Sequence, residues 1–238
     1  MYEVDLHTHT RFFHGFPGRP TPYDPVGARL HALVARRRGL DGVATTNHDY
    51  CWYDETVDVT PIPGIEVSTT RGHVLIVGPD PPVATAQGQL TPEETVALAH
   101  ERDCVAIMAH PYRNGTLPGS NADFDAVEIN GKHLENHDDV RALAAQRDLP
   151  MVAGSDAHYP VEVGRAFTRL YADELTPESV VEAVRESRVE PVVKETALDR
   201  VTRPLYAAIH RWKGYMPPRE LEEDPRVDVE TAEAKRER

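Results

Sequence analysis

Short apolar runs alternate along this chain with longer stretches in which apolar residues recur every three or four positions. The first pattern fits buried strands and the second fits helices lying on a sheet. Val4 to His9 is the first strand, followed by a Gly/Pro-rich loop from Gly15 to Pro22. Asp24 then offers a helix N-cap with Pro25 at the first helical position, Leu30, Leu33 and Val34 form an apolar stripe, and Gly39 stands where the helix would stop. Gly42 to Thr46 reads as a second strand ending at Asn47-His48-Asp49, and residues 50–63 as a loop. Gly64 to Ser68 and His73 to Val77 read as strands around a turn at Gly72. Thr91-Pro92-Glu93-Glu94 is a capping box opening a helix to about Asp103, and Val105 to Ala109 is the strand after it. Strands over Ala126 to Ile129, Met151 to Gly154 and Val189 to Val193 alternate with helices over His137 to Arg147 and from Thr176 to about Ser187. This alternation predicts a parallel sheet with helices outside it, closed as a barrel or left open. An amphipathic segment near Arg203 to Trp212 is expected on the outside. From Pro217 the chain is charged and nearly free of aromatics, so residues 1–216 are expected as one domain and 217–238 as a disordered tail.

Composition narrows the partners. The 238 residues suffice for one large core. Lys and Arg total 26 against 39 Asp and Glu, and the net charge of -13 repels long nucleic acid and anionic membranes. An anionic substrate must then be met by local cations. An acidic surface also suits a high-salt cytoplasm, but charge alone does not separate that from an ordinary acidic protein. Cys51 and Cys104 have no CxxC spacing, which fits free thiols in a reducing compartment. No apolar run reaches membrane-spanning length, and a histidine motif stands where a signal peptide would begin, so the expected location is cytoplasmic.

The chemistry-bearing residues fall at strand ends. Alternation along a strand puts His7 and His9 on one face, where two imidazoles can meet one metal ion. Asp5, two residues earlier, would face the same side and orient a ligand imidazole. His48, His110, Asp156 and His158 lie at or just beyond the C-terminal ends of other strands, where parallel α/β folds assemble their sites. Glu66 lies within its strand, His73 opens the next, and His14 follows the first. A lone histidine is more often a surface or core residue than a ligand, and His31, His100 and His210 are set aside on that ground. His133 and His137 fit a capping or surface role as well as a site. For the strand-end set, one shared metal cluster explains why buried positions carry imidazoles and carboxylates.

The set Asp5-Leu6-His7-Thr8-His9-Thr10, Thr46-Asn47-His48-Asp49, Gly64-Ile65-Glu66-Val67-Ser68, Ala109-His110-Pro111 and Gly154-Ser155-Asp156-Ala157-His158 resembles the PHP (polymerase and histidinol phosphatase) family, in the family's motif order. The resemblance implies a distorted (β/α)7 TIM-like barrel with a trinuclear metal centre at the C-terminal ends of its strands. It implies His7, His9, Glu66 and Asp156 around one metal, with Glu66 bridging to a second completed by His73 and His110. A third would take His14, His48 and His158. Asn47 and His14 both stand where Asp is commoner in the family. The segment from Ala126 to Gly131 and Val152 to Thr168 resembles stand-alone members with a PHP-associated C-terminal region.

Imidazoles and carboxylates without thiolates suit two to three divalent ions, Zn, Mn or Fe. Such a cluster fits hydrolysis of a small phosphorylated substrate, with Asp156, Glu66 and His110 at the reacting centre. Arg113, Arg165, Lys132 and Arg19 are the candidate phosphate-binding cations. The competing readings are a nuclease acting on short oligonucleotides, an amidohydrolase cutting C–N bonds, and a non-catalytic module using metal as a staple. For the amidohydrolase, no lysine is an obvious bridging ligand. Oligomeric state is not legible in the sequence.

Overall fold

The computed structural model describes residues 1–10, 24–113 and 115–194. His14, Arg19, the segment 203–212 and the tail 217–238 lie outside the described residues. Among the described residues nine strands, β1 (Tyr2–Thr8), β2 (Gly42–His48), β3 (Thr60–Thr69), β4 (Gly72–Val77), β5 (Val105–Met108), β6 (Ala126–Asn130), β7 (Met151–Gly154), β8 (Ala166–Leu170) and β9 (Val189–Val193), form one sheet in the order β7-β6-β5-β4-β3-β2-β1-β8-β9. The helices are α1 (Pro25–Arg37), α2 (Pro92–Glu101), α3 (His137–Arg147) and α4 (Pro177–Arg185).

The sheet curls into a nearly closed barrel. Thr168 on β8 donates its hydroxyl to the Ala153 carbonyl on β7 at 2.9 Å and accepts from the Ala153 N–H at 2.8 Å. Beyond β7, Ala157 pairs with Thr8 and accepts from the His9 N–H at 2.8 Å. The strands are not all parallel, as their alternation with helices had suggested. β1–β2–β3 and β5–β6–β7 run parallel within themselves, but β4 is antiparallel to both its neighbours and β8 is antiparallel to β1 and β9. Gly72 explains the first reversal: its φ of 139° is open to glycine, and it closes a hairpin too tight for a helical crossover.

Strand alternation separates an outward-facing from an inward-facing core, and a third cluster, with Ala32, Ala35, Val43 and Phe167, lies under α1. Outward residues such as Ile65, Val67, Val127 and Ile129 pack under α2 and α3 through Val96, Ala99, Val140 and Leu143. Inward residues Val4, Leu6, Ile62, Val105 and Ile107 meet Val180, Val181 and Val184 of α4, which plugs the barrel at the N-terminal ends of its parallel strands. Each fully buried valine there contributes roughly 1.5–3 kcal/mol. With one end filled by hydrocarbon, the opposite end is left for polar side chains.

The helix boundaries obey their capping signals. Asp24 accepts from the Gly27 N–H at 2.7 Å, and Thr91 and Glu94 close a reciprocal capping box. Gly39 adopts a φ of 81° just past α1, as a C-terminal stop requires.

Candidate metal centre

Each motif is held at the open end of the barrel by local hydrogen bonding. The register of β1 shifts between Asp5 and Thr8, so strict alternation does not carry His7 and His9 to one face unaided. The Asp5 carboxylate stabilises this bulge by accepting from the backbone N–H groups of His7 (3.3 Å), Ser155 (2.9 Å) and Gly164 (2.8 Å). Asp5 therefore orients backbone and not, as expected, an imidazole. Burial pushes its carboxyl up to about 6 against the opposing effect of those hydrogen bonds.

Glu128 takes the orienting role. It is buried in β6 and accepts from His7 Nδ1 at 2.8 Å through Oε1, and from the His110 backbone N–H at 2.9 Å through Oε2. Burial would lower His7, but Glu128 and Glu66 hold it well above the usual imidazole range, so with Nδ1–H fixed on Glu128 it is Nε2 that would give up its proton and turn a lone pair to a bound metal. Sequence reasoning passed over Glu128, although a carboxylate inside the apolar run Ala126-Val127-Glu128-Ile129 is itself the signal that could have found it. Gly154 leaves room for the pair, because a Cβ there would lie 2.4 Å from His7 Cβ and 2.8 Å from Glu128 Oε1. Gly154→Ala should therefore displace both groups and weaken metal uptake at least about tenfold, as loss of an orienting partner does. Titration of the metal-stripped variant with Mn²⁺ checks it.

The expected ligands converge on Glu66. Its Oε2 lies 3.3 Å from His7 Nε2, 3.2 Å from His9 Nε2 and 3.0 Å from His48 Nδ1, while Oε1 lies 2.8 Å from His73 Nδ1 and 2.9 Å from His110 Nε2. The two faces of one carboxylate thus look at two groups of imidazoles. Asp156 Oδ1 is 3.4 Å from His9 Nε2 and 3.2 Å from His158 Nδ1. Three sets bring their ligand atoms within 4.8 Å of one another: His7, His9 and Glu66; His48, Glu66 and His73; and His9, His48 and His158. The third set joins His9 to His48 and His158, and His14, which the resemblance adds to those two, lies outside the described residues.

These residues fit divalent ions. His7 Nε2 and His9 Nε2 face each other at 3.2 Å, close to the roughly 3.3 Å between two nitrogens held about 2.0–2.1 Å from one tetrahedral ion. Glu66 Oε2 is buried and accepts no hydrogen bond although three imidazole nitrogens lie within 3.3 Å, an unmet charge that a bound cation would satisfy. Burial would raise the Glu66 carboxyl, but the ring of imidazoles and the hydrogen bond from His110 hold it well below the usual carboxylate range. Burial lowers His48 and His158, leaving them as the neutral imidazoles that metals bind. Among the described residues no thiol joins the cluster, and burial pushes Cys51 up to about 12 and Cys104 to about 11.

The backbone is bent to hold these donors. His110 (φ 26°), Asp156 (φ 51°) and Asp49 (φ 61°) occupy positive φ at strand ends, a conformation costing of order 1–3 kcal/mol for a residue with a Cβ. Asp49 offsets part of that by accepting from the Ser68 N–H and hydroxyl, both at 2.8 Å, which ties the end of β2 to β3. Asn47 is a clamp: its Oδ1 accepts from the Thr10 N–H at 3.0 Å and its Nδ2 donates to Thr10 Oγ1 at 3.2 Å.

Two of the expected cations reach the cluster. A turn over His110-Pro111-Tyr112-Arg113 brings the Arg113 guanidinium to 3.1 Å from Asp156 Oδ2. Lys132 Nζ lies 3.2 Å from Asp156 Oδ1 and 2.9 Å from His158 Nδ1. Arg165 is buried instead against Glu162 at 3.2 Å, and Glu162 in turn accepts from the His158 N–H, so this pair braces the loop carrying Asp156 and His158. His137 donates from Nε2 to the Asn130 carbonyl at 2.9 Å, and His133 sits with its ring 6.3 Å from that of His110. His100 pairs with Asp125, away from the cluster.

A family model described as PHP-associated matches residues 135–189, the span from α3 to the start of β9 that includes Asp156 and His158. An uncharacterized protein of Methanocaldococcus jannaschii is 29% identical over 121 residues, 46% of this chain and 68% of its own. Among solved structures, PsfC from Pseudomonas syringae superposes with a TM-score of 0.65 at 19% identity, over 88% of this chain and 99% of that one. A two-domain protein containing a predicted PHP-like metal-dependent phosphoesterase from Bacteroides vulgatus gives 0.59 at 17% identity, over 87% and 69%. The lesion-specific endonuclease Q of Pyrococcus furiosus gives 0.54 at 18%, over 78% of this chain and 56% of that one. At these identities the likeness is one of fold. No helix of the described residues is long and apolar enough to cross a membrane.

Proposed function

We propose that this chain, which shares its barrel fold with PHP-like proteins and matches a PHP-associated model over residues 135–189, is a metal-dependent phosphoesterase acting on a small phosphorylated substrate. The observation that carries the reading is Glu66, a single buried carboxylate set between two groups of imidazoles at 2.8–3.3 Å. A carboxylate so placed suits a bridge between divalent ions, with His7, His9 and Asp156 on one side and His73 and His110 on the other. His48 and His158 are the donors left for a third. When bound, such ions lower the pKa of water towards neutrality and act as Lewis acids on phosphoryl oxygens.

The protein's own groups complete the task. Arg113 and Lys132 place two positive charges on the Asp156 side of the cluster, where they would meet phosphoryl oxygens and balance the charge that develops as the ester bond breaks. Glu128 keeps the His7 lone pair on the metal side, and the Arg165–Glu162 brace fixes the backbone at His158. We place the enzyme in the cytoplasm, the compartment that suits its two free thiols.

The net charge of -13 favours a small ester over long nucleic acid, though a short oligonucleotide needs only a local pocket. The carboxylated lysine that usually bridges the metals of an amidohydrolase has no obvious counterpart, and Glu66 suits the bridging role instead. The test is a screen of protein loaded with Mn²⁺ or Zn²⁺ against phosphomonoesters, nucleoside bisphosphates, dinucleotides and amides. Release of inorganic phosphate from a monoester is the expected result. Turnover confined to amides, or none at all with metal bound, would contradict it.

A further inference from the structure

Helix α1 turns towards the sheet one side chain that a helix in that position would ordinarily fill with hydrocarbon. His31 is 2% exposed, among Ala28, Ala32 and Ala35, and neither Nδ1 nor Nε2 has a hydrogen-bond partner. Burial lowers the ring to about 3, so it is neutral and offers one donor and one acceptor. Leaving both unmet in a low-dielectric interior is costly.

A cavity opens at this ring. Its polar lining is His31, Thr10, Thr45 and Asp54, and valines of β2 and of the approach to β3 make up much of the rest. Its volume of about 20 Å³ exceeds the roughly 10–15 Å³ that one water requires, and is too small for an organic ligand. Thr10 connects the cavity to the metal centre. It follows His9 directly and is clamped by Asn47, which precedes His48, and the His9 and His48 rings stack at 4.6 Å.

We propose that this cavity is a buried water site, in which water bonded to His31 supports Thr10 and Thr45, and that His31 thereby acts as a positioning residue for the His9–His48 pair. The inference rests on the reading that these two imidazoles bind a divalent ion. Asp54 lines the same cavity but makes no hydrogen bond to the ring, and its Oδ1 accepts from the Thr56 N–H and hydroxyl. The Thr10 hydroxyl is engaged by Asn47 but, with two lone pairs and a proton, can still take part in a water bond.

The test uses the full chain stripped of metal and titrated with Mn²⁺, alongside a high-resolution crystal structure. The structure should show water within hydrogen-bond distance of His31 Nδ1 or Nε2. His31→Leu removes two unmet polar atoms and fills the cavity, so its Tm without metal should be no lower than wild type. Its weakest Mn²⁺ equivalent should nevertheless bind at least about tenfold less tightly. His31→Gln, which keeps a donor and an acceptor, should recover most of that loss. Should the leucine variant fail to fold, Thr45→Val removes a cavity hydroxyl at constant shape and should weaken the same equivalent. Unchanged Mn²⁺ affinity in the folded variants, or a dry cavity, overturns the inference. Wild-type protein that takes up no Mn²⁺ overturns the phosphoesterase reading and this positioning role together, whereas altered uptake in the variants sustains the role whatever ester is cut.

Discussion

Glu66→Gln should leave a folded chain whose turnover of its phosphate ester is about 10³-fold below wild type, a loss of about 4 kcal/mol of transition-state stabilisation. The amide keeps the shape of the side chain, so the barrel interior stays filled. It cannot keep the bridge: one of its two ends becomes an NH₂ group pointing at imidazole lone pairs, either those of His73 and His110 or those of His7, His9 and His48. At least one metal equivalent should be lost with the activity. Steady-state rates, elemental analysis and thermal melting without metal separate the effects, and unchanged turnover would remove Glu66 from the site.

The second large effect is expected one layer out. Glu128→Gln should weaken metal binding by about 10–100-fold, the usual cost of losing a carboxylate that orients a ligand imidazole. Glu128 makes no contact with the proposed ligand face of His7. It acts by accepting the Nδ1 proton at 2.8 Å and by holding the His110 backbone at 2.9 Å. Excess metal should therefore restore much of the rate in Glu128→Gln but not in Glu66→Gln. Equal affinity in wild type and Glu128→Gln would contradict the orienting role.

The convergence of these imidazoles and carboxylates was legible in the sequence because each interrupts or borders an apolar run, where burial makes a polar side chain expensive without a shared reason. His7, His9, His48, Glu66, His73, His110, Asp156 and His158 all meet at one end of the barrel. The supporting groups were harder to read. Asp5 has the spacing of an orienting carboxylate, but the bulge after it diverts its oxygens to three backbone N–H groups, and a bulge leaves no mark in composition. Arg165 follows the Asp-x-His motif closely enough to suggest the cleft, yet Glu162 three residues earlier captures it.

The strands show the same division. Residues 60–63 read as loop because Pro61 and Pro63 cannot donate to a ladder, yet they belong to β3. They are tolerated there because β4 pairs with β3 only from Gly64 onward, and where Pro63 meets Gly78 it serves as an acceptor, so no N–H is asked of it. β8 was missed because Ala166-Phe167-Thr168-Arg169-Leu170 is short and carries no strong turn signal at its end. Its direction, antiparallel to β1, is set by tertiary pairing that local pattern does not encode. The capped helices were legible almost to the residue, since Asp24, Thr91 and Thr176 each satisfy local N–H groups whatever the rest of the chain does.

The central claim is that the imidazoles and carboxylates around Glu66 hold a multinuclear metal centre. Elemental analysis of the purified full chain after dialysis against Mn²⁺ or Zn²⁺ tests it most directly. About two to three equivalents of divalent metal per chain are expected for wild type, with fewer in Glu66→Gln. One equivalent or none in wild type, or the same content in both proteins, would contradict it.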